Sequence, residues 1–562
     1  NINGSDTALA ARNQGDTDCI VYEFTGDDVL VRTDRLIIKD LKTNKVLQIA
    51  QEIGRQPVLS FGNSSGDASM NNYALLNNRY RSAAFMLIAD DDARDYGKSE
   101  KHEELTEKWQ GMGYHVISKR DDWKTIYGEN VVKTGSFRWL ETYADRDAAA
   151  DVGDIADKYT LEQVVVLSRH NLRAPLSSNG SVPSELTPHS WIRWSAGSSE
   201  LTLRGGVEET SMGQYFRKWL DREGLIPENT VPEEGEVRFN ARSKQRCIAT
   251  ARYFAAGMLP LADIEVEHPG DAKGTEDFMA PVLHFYSNEY EDAVQAQVAE
   301  LPAQAGFATV EDQTRDVIRL IMDTVDMQDS EIYQSGKYGD LLKDPSGFTM
   351  EPDTEPDITG AVKTANQVAD ALILQYYEEP DAVKAAFGHE LTDEHWAQIG
   401  AFMTTSLKMK HGAPLLAANI TNPLLRELNS ELKNEKRKFT LFCAHDCTVL
   451  GTLSALGAEP YALPGSIETE TPIGVKLVFE RRRDGEGRAW YRVSLIYRST
   501  EQIRSGEMLT MENPPQRYDL RFAGVETNAD GLIAEEDLFA LFDRSIGILE
   551  EIETTYAQKD AA

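Results

Sequence analysis

The order of apolar and polar positions along this chain predicts two kinds of element. Four continuous apolar runs are typical of buried strands, and they occupy residues 58–61, 83–89, 164–167 and 439–444. Two longer stretches, residues 311–327 and 362–377, carry apolar residues at helical spacing. Since strands and helices share the chain in this way, the pattern predicts an α/β fold.

The same pattern divides the chain into segments. Residues 144–158 are polar and acidic, which predicts a linker or a short connecting helix. Farther along, residues 288–434 turn helical before the strand pattern resumes at Phe439. We therefore predict a first domain over residues 1–150 and a second domain over residues 155–556.

One pair of strands near the end has an unusual connection. Residues 475–480 and 489–497 predict an antiparallel pair. The intervening segment begins with three arginines in a row, at positions 481–483, and ends in Asp-Gly-Glu-Gly. Such a run is more typical of a solvated hairpin tip than of a phosphate site, so we expect these arginines to face water.

Composition excludes several classes of partner. The chain has 562 residues, 41 % hydrophobic content and a formal net charge of −34 at pH 7. This length predicts two or three domains, and the acidity argues against nucleic acid and anionic membrane surfaces as partners. No run of 18 apolar residues occurs, so no membrane span is predicted. Residues 1–5 show no signal-peptide pattern, so we expect the chain to start at a processed or a cut end.

Candidate chemistry is concentrated directly after the apolar run at residues 164–167. The chain continues there as Ser168-Arg169-His170-Asn171-Leu172-Arg173-Ala174-Pro175. Open α/β sheets build their sites in such loops, at the carboxyl ends of the strands. A neutral imidazole can attack phosphorus and carry a phosphoryl group, and guanidinium groups bind phosphate oxygens bidentately. The stretch therefore predicts phosphoryl transfer through a histidine.

A second cluster supplies the groups that this loop lacks. The apolar run at residues 439–444 ends in His445-Asp446, and Gln245-Arg246 opens a helix-like stretch between the two clusters. The histidine offers a further phosphate ligand, and the carboxyl group can protonate a leaving oxygen. Together these residues resemble the histidine acid phosphatases, from about residue 159 to the end of the chain. The resemblance places a mostly helical subdomain at about residues 288–434, covering the site of an α/β core.

One branch of the family fits this chain best. Most members have glycine where this chain has Asn171, and Arg-His-Asn-Leu-Arg-Ala-Pro is similar to the bacterial glucose-1-phosphatases. The stretches at residues 201–208, 212–215 and 472–479 also look like that branch. Asn171 is therefore our candidate specificity residue.

The resemblance implies a role for each residue of the two clusters. His170 would be the nucleophile that becomes phosphohistidine, and Asp446 would be the general acid for the leaving alcohol. The transferring phosphoryl group would be bound by Arg169, Arg173, Arg246 and His445. No metal or other cofactor is implied, since the arginines supply the positive charge. The resemblance also implies export, to the periplasm or outside the cell.

Three functions are weighed for the second domain. The leading prediction is an acid phosphomonoesterase that takes small phosphorylated substrates, sugar phosphates such as glucose 1-phosphate. The alternative within the enzyme class is a phytase, which needs a wide basic pocket, and no comparable basic cluster accompanies the motif. The alternative from another class is a binding or scaffold protein with degenerate phosphatase folds, which the intact set of site residues argues against.

The first 150 residues lie outside this resemblance. The stretch Gly62-Asn63-Ser64-Ser65-Gly66-Asp67-Ala68-Ser69-Met70 follows an apolar run, and Lys45 lies on a helix-like segment before it. This arrangement resembles the C-terminal half of a haloacid dehalogenase-type phosphatase domain, a Rossmann-type α/β fold whose acidic residues hold Mg²⁺. Asp67 would be the metal ligand here, although Mg²⁺ usually needs several oxygen ligands and the site is disfavoured.

The nucleophile of that second family is missing from this chain. It is the first Asp of an Asp-x-Asp-x-Thr stretch after a strand, but Asp16-Thr17-Asp18 follows no strand and lies too near Lys45. Three explanations stay open: a fragment of a longer protein, a missing half on a separate polypeptide, or a degenerate packing domain. The first is favoured.

Two further patterns carry weaker predictions. The four cysteines Cys19, Cys247, Cys443 and Cys447 lack CxxC spacing and would allow three disulfide connectivities, but apolar packing under the site loops is favoured. Residues 526–537 place side-chain oxygens at positions 1, 3, 5 and 12 and a glycine at 6, as in an EF-hand calcium loop. Because a strand is predicted just before them, where an EF-hand needs a helix, a surface turn is favoured.

Overall fold

The computed structural model describes eight stretches of the chain: residues 6–12, 29–38, 42–95, 97–126, 155–176, 182–270, 277–336 and 341–557. The chain forms two compact units, Asn1–Asp147 and Ala148–Ala562. Cys19 and Asp16-Thr17-Asp18 lie outside the described residues. No helix among the described residues is long and apolar enough to cross a membrane.

The first unit contains a small parallel sheet with helices between its strands. Its elements in chain order are β1 Asp6–Ala11, β2 Leu30–Ile38, α1 Thr43–Gln48, β3 Leu59–Gly62, α2 Ala68–Leu75, β4 Ala83–Ile88, α3 His102–Gly111 and β5 His115–Ser118. The strands β3, β4 and β5 pair in parallel, while β1 and β2 form a separate antiparallel pair. Alternate residues of β4 (Ala84, Met86 and Ile88) pack with Trp109 and Tyr114 in one core.

This architecture is α/β, as the apolar runs predict. The strand predicted at residues 83–89 is β4, and the run at residues 58–61 becomes β3. The finer prediction of a haloacid dehalogenase-type domain stays a prediction, because three parallel strands with intervening helices are common to many Rossmann-type folds.

The second unit is built on one eight-stranded mixed sheet. Its strands are β6 Tyr159–Arg169, β7 Val237–Ala241, β8 Val266–Glu267, β11 Phe439–Ala444, β12 Lys476–Asp484, β13 Ala489–Tyr497, β14 Gln516–Asp519 and β15 Ile533–Ala534. The order is β14-β13-β12-β6-β11-β7-β8, with β15 paired to β13. The strands β6, β11, β7 and β8 are parallel, and β12 turns antiparallel to β6. A separate short hairpin joins β9 Gly347–Thr349 to β10 Asp357–Thr359.

Helices cover both faces of this sheet, which explains the continuous apolar runs. Val164 and Val166 of β6 belong to a core on one face, with α5 Leu203–Arg222 and α6 Gln245–Met258. The alternate residues Val165 and Leu167 belong to the core on the other face. A strand buried on both faces has no polar side to alternate with, so its sequence reads as an unbroken apolar run.

The remaining helices form a subdomain and the outer layer of the second unit. They are α4 Val182–Glu185, α7 Asn288–Gln304, α8 Val310–Thr324, α9 Glu331–Gln334, α10 Gly360–Glu378, α11 Ala382–Ala385, α12 Asp393–His411, α13 Pro414–Ile420, α14 Asn422–Leu432, α15 Asp446–Ala455, α16 Thr500–Ser505 and α17 Glu535–Tyr556. The periodic stretches at residues 311–327 and 362–377 become α8 and α10. These two helices share a core with α12 that contains Ile321, Leu372 and Trp396.

The run of three arginines is not a solvated hairpin tip, and that prediction is wrong. Arg481, Arg482 and Arg483 lie within β12, and only 1 % of the surface of Arg482 is exposed. The guanidinium group of Arg482 donates to Glu223 at 2.7 Å and to Glu480 at 2.7 Å. Glu223 lies far away in the chain and Glu480 lies two residues away on the same strand. Together they pair with the charge of Arg482, which is buried away from water.

The predicted calcium loop is a turn that leads into α17. The side-chain oxygen of Asn528 accepts hydrogen bonds from the backbone N–H groups of Asp530 and Leu532. The carboxylate of Asp530 is engaged by Lys158 at 2.6 Å and by the Tyr159 hydroxyl at 2.9 Å. Because β14 precedes the turn and these oxygens bind protein groups, the structure favours the surface turn.

The buried charges around Arg482 predict a large loss of stability when the cation is removed. We expect Arg482→Met to lower the free energy of unfolding by about 3–5 kcal/mol, because Glu223 and Glu480 would lose their shared cation in a dry environment. Arg488→Met is the matched control, since that arginine is mostly exposed and pairs with Asp484 at the same hairpin. Urea unfolding of both variants checks this, and equal stabilities would contradict it.

Candidate active site

The pairing of two parallel strands brings the two sequence clusters to one edge of the sheet. The strand β11 pairs with β6 in register, so that Ala444 lies opposite Arg169. The next residues, His445 and His170, therefore leave the sheet side by side. The backbone N–H of His170 donates to the carbonyl of Ala444 at 3.0 Å, which fixes this arrangement.

His170 is a buried, neutral imidazole. Its Nδ1 lies 2.9 Å from the carbonyl oxygen of Asn171, so Nδ1 carries the proton and Nε2 keeps a free lone pair. Burial, followed by electrostatic interaction with His445 and Arg246, lowers the pKa of His170 well below its usual value. Since only the neutral ring is nucleophilic, the site keeps the ring ready to attack at mildly acidic pH as well as at neutral pH.

Three guanidinium groups surround this ring, and two of them are held by carboxylates. Arg169 donates to Glu468 at 2.5 Å, and Arg173 donates to both oxygens of Asp370 at 2.8 and 3.1 Å. Arg246 has no carboxylate partner in the described part of the chain and makes one long contact, to a backbone carbonyl at 3.4 Å. Burial, followed by the charge of Arg173, lowers the pKa of Arg246.

Each of these arginines keeps one donor free. The buried Nε atoms of Arg169, Arg173 and Arg246 find no hydrogen-bond acceptor among the described residues. Buried donors are almost always satisfied, so three such donors beside one imidazole suit an anionic ligand. A phosphoryl group has the charge and the several oxygens that these donors require.

Asp446 opens α15 and lies against Arg169, 3.1 Å from its guanidinium nitrogen. Burial raises the pKa of this carboxyl, but Arg169 and His445 outweigh that effect and lower it to about 2. The group is therefore ionised in the ligand-free protein. An anion bound to Arg169 would compete for the same guanidinium and add negative charge nearby, and both effects raise the pKa of Asp446.

The six groups share one cavity of about 620 Å³. It is lined by all the residues that the motifs predict for nucleophile, acid and phosphate ligands: Arg169, His170, Arg173, Arg246, His445 and Asp446. The opposite wall comes from the helical subdomain, through α10 and α12. This volume accommodates a small ester, and the phosphoryl end of such a ligand would lie at the strand edge.

Comparison with known proteins identifies the family. The profile of the histidine phosphatase superfamily (branch 2) matches residues 160–315. A glucose-1-phosphatase from Salmonella typhimurium is 33 % identical over 377 residues, which are 66 % of this chain and 89 % of the relative. A glucose-1-phosphatase from Providencia rettgeri is 31 % identical over 407 residues, or 70 % of this chain and 93 % of the relative. The chain belongs to the histidine phosphatase superfamily.

Related structures and a further relative agree with this assignment. Phytase AppA from Escherichia coli is 27 % identical over 395 residues, 66 % of this chain and 89 % of the relative. The apo form of Hafnia alvei phytase is 25 % identical, with a TM-score of 0.62, and the match covers 69 % of this chain and 97 % of that chain. The protein is therefore a phosphoric monoester hydrolase with the histidine-phosphatase fold.

Asn171 does not line the cavity of this histidine phosphatase. Its side-chain amide donates to Glu209 at 2.8 Å, and its Oδ1 accepts from the backbone N–H of Leu172 at 2.7 Å. Gly474 passes so close that a Cβ on it would lie 2.8 Å from the Asn171 amide. Any effect of Asn171 on substrate choice would therefore act through Glu209 and the shape of the loop.

A buried ion pair lies beneath this loop and was missed by sequence reasoning. Glu209 and Lys476, both with side chains that are 0 % exposed, pair at 2.8 Å, and Lys476 also donates to the carbonyl of Gly474. The sequence does contain a signal for this pair, because Lys476 lies in the middle of the apolar run at residues 473–479. A lysine buried in such a run needs a partner of opposite charge. The partners Glu468 and Asp370 gave no comparable signal.

The cysteines pack close to the site, as predicted. Cys247, Cys443 and Cys447 are buried and carry free thiols. The sulfur of Cys247 lies 3.8 Å from Nδ1 of His445, so the thiol packs against that ring. Among these three, no disulfide constrains the site.

Asp67 of the first unit is engaged by protein groups. Lys45 donates to its Oδ1 at 2.7 Å, and the backbone N–H groups of Asn63 and Ser64 donate to its Oδ2. Desolvation raises the pKa of Asp67, but these contacts outweigh it and lower the pKa. Within the described residues, Asp67 belongs to no cluster of three groups that could hold a metal. Because both carboxylate oxygens of Asp67 are bound by protein groups, its surroundings do not fit a Mg²⁺ site.

The ionised state of Asp446 predicts a pH dependence with a definite sign. With a pKa of about 2 in the free protein, Asp446 needs a proton from the bound ester, whose own second pKa is about 6. We expect kcat/KM to be highest below about pH 6 and to fall about tenfold per pH unit above it. A pH–rate profile on an alkyl phosphate checks this, and a flat rate between about pH 4 and 8 would contradict it.

The variant Asp446→Asn tests the role of Asp446 as general acid separately from the roles of the other site residues. We expect it to lower kcat/KM on an alkyl phosphate, which covers only the steps up to release of the alcohol, by about 10²–10⁴-fold, the size of a general-acid contribution. Its effect on p-nitrophenyl phosphate should be much smaller, because that leaving group departs without a proton. Equal losses on both esters would show that Asp446 is not the acid.

Proposed function

We propose that the second unit hydrolyses sugar phosphates, such as glucose 1-phosphate, through a phosphohistidine formed on His170. The observation that carries the proposal is the set of three orphaned guanidinium donors around a neutral imidazole with a free Nε2. The names of two relatives, both glucose-1-phosphatases, support the substrate class.

The reaction would proceed in two displacements. Nε2 of His170 attacks phosphorus while the bond from phosphorus to the ester oxygen breaks, and Asp446 gives its proton to that oxygen. The alcohol then leaves, and Asp446 is a carboxylate again. A water molecule attacks the phosphohistidine, Asp446 takes the proton of that water, and inorganic phosphate is released with the ring restored.

Positive charge at the strand edge would stabilise both transition states. Charge builds on the equatorial oxygens of the transferring group, and preorganised donors are worth most where water is excluded. Arg169, Arg173, Arg246 and His445 all line the cavity at this edge. We propose that no metal is needed, because these groups supply the charge, and turnover that is unchanged by EDTA would support that view.

The charges elsewhere in the cavity favour an uncharged leaving group. Asp357 pairs with Lys363 at 2.6 Å and with Lys410 at 3.6 Å, so its one carboxylate offsets part of the positive charge that the two lysines bring to the cavity. Arg242 is likewise paired with Glu355 at 3.2 Å. The leaving group of a phytase substrate carries further phosphates, which bind most strongly to cations that have no carboxylate partner. A hexose leaving group is uncharged and needs no such cations.

A phytase is the second candidate, and one feature favours it. Lys244 lines the same cavity, is exposed and belongs to no ion pair in the parts of the chain that are described. A phytase relative and phytase structures are among the similar proteins, one of them in complex with myo-inositol hexakis sulphate. Glucose 1-phosphate and phytate should therefore be compared directly as substrates.

We further propose export to the periplasm or outside the cell, on the resemblance to periplasmic enzymes. Fractionation of the source cells tests this. The scaffold alternative is disfavoured for the second unit, because every group of the predicted mechanism is present and converges in one cavity.

The phosphohistidine can be trapped directly. When the protein is quenched during turnover of a ³²P-labelled ester, we expect it to carry a covalent ³²P label. The label should survive in base and be lost in acid, because a phosphohistidine has the P–N bond of a phosphoramidate. His170→Ala should abolish both label and turnover. His189→Ala, a change to a half-buried histidine paired with Asp326, is the control and should keep both. Undiminished phosphate release by His170→Ala would overturn the mechanism.

Freeing the two lysines should move activity towards phytate. We expect Asp357→Asn to raise the ratio of kcat/KM for phytate over glucose 1-phosphate severalfold at low salt, because Lys363 and Lys410 would lose the carboxylate that they share. The gain should shrink at high ionic strength. Asp316→Asn, a change to an exposed carboxylate on α8, is the control. An unchanged ratio would show that these charges do not select the substrate.

A further inference from the structure

The last residue of α12, His411, is an unexplained polar group in the wall of the cavity. Its ring is only 2 % exposed, yet it lines the cavity that holds His170 and Asp446. Neither Nδ1 nor Nε2 has a hydrogen-bond partner in the described part of the chain. Buried polar side chains nearly always find partners, so a ring with two free nitrogens indicates a ligand that supplies them.

The ring is uncharged, which restricts the kind of ligand. Burial, followed by the charge of Lys410, lowers the pKa of His411 to about 3. At any working pH above this value the ring offers one N–H donor and one acceptor nitrogen. A hydroxyl group is both acceptor and donor and matches this pair, whereas a phosphate oxygen is matched better by a cation.

His411 belongs to the helical subdomain, whose helices α10 and α12 line the cavity together with the residues of the strand edge. It therefore lines the same cavity as Asp446, the group that would protonate the leaving oxygen. A second uncharged group, Asn366 of α10, also lines the cavity, and its Oδ1 is buried without a partner among the described residues. The subdomain wall thus offers neutral polar groups opposite the cationic strand edge.

We infer that His411 is a specificity-determining residue that hydrogen-bonds a hydroxyl group of the leaving alcohol, and so selects polyhydroxylated leaving groups such as a hexose. This inference rests on the proposed function and adds to it the residue that recognises the sugar. Asn366 would accept from a second hydroxyl of the same ligand.

The test compares two esters that share the phosphoryl group and differ in the leaving group. Glucose 1-phosphate offers hydroxyls to His411, and p-nitrophenyl phosphate offers none. We expect His411→Leu to lower the ratio of kcat/KM for glucose 1-phosphate over p-nitrophenyl phosphate about tenfold, the size of one neutral hydrogen bond with its partner left unpaired. The loss should appear mainly in KM, because the contact exists in the ground state as well.

Two controls separate recognition from folding. His411→Gln keeps a donor and an acceptor at nearly the same place and should restore most of the ratio. His395→Leu makes the same exchange in the first turn of α12, about 24 Å away along the helix, and should leave the ratio at the native value. Thermal unfolding of all variants shows whether each is folded.

Each outcome decides between the two proposals. If the folded His411→Leu variant keeps the native ratio, with or without an equal loss of activity on both esters, the proposed role of His411 is wrong and the proposed function stands. A native chain that hydrolyses neither ester would overturn the proposed function itself. If the native chain hydrolyses p-nitrophenyl phosphate but not glucose 1-phosphate, the assignment of a sugar phosphate as substrate is wrong, both in the proposed function and in the role of His411.

Discussion

The parallel pairing of β6 with β11 is the constraint on which the rest of the site depends. Six consecutive residue pairs, from Val164 with Phe439 to Arg169 with Ala444, bring two segments separated by some 270 positions in the chain to one edge. Both strands are buried on both faces, so a slip of one residue would exchange the two cores and separate His170 from His445. The close packing of the sheet therefore also fixes the geometry of the catalytic groups.

The acidity of the chain helps to hold its cationic site together. Three buried guanidinium groups beside one another repel, and their desolvation is costly. Asp370, Glu468 and Asp446 offset this by binding Arg173 and Arg169 while leaving one donor of each arginine unused. The carboxylates thus stabilise a cluster of cations whose unused donors suit the charge and the oxygens of a phosphoryl group.

The two walls of the cavity differ in their electrostatics, and this division suits the two parts of an ester. The strand edge carries His170, Asp446 and the three arginines. The helical subdomain supplies two lysines that share the carboxylate of Asp357, together with the uncharged groups of Asn366 and His411. Chemistry common to all phosphate monoesters would thus be handled by the sheet, and the choice of alcohol by the helices.

The main strands of the sheet, the helical subdomain and the six candidate site residues could all be predicted from the sequence. Apolar runs such as Val164 to Leu167 are local signals of burial, and His170 and Asp446 follow such runs within a few residues. Which polar groups are buried, and beside which neighbours, could be learned only from the tertiary structure. Arg482 pairs with Glu223, 259 residues away, and Asn171 donates to Glu209 on another element. His411 is one of ten histidines in the sequence, and only the fold places it in the lining of the cavity. The burial of a polar group depends on neighbours that are distant in the chain, and a local sequence pattern does not show which residues those are.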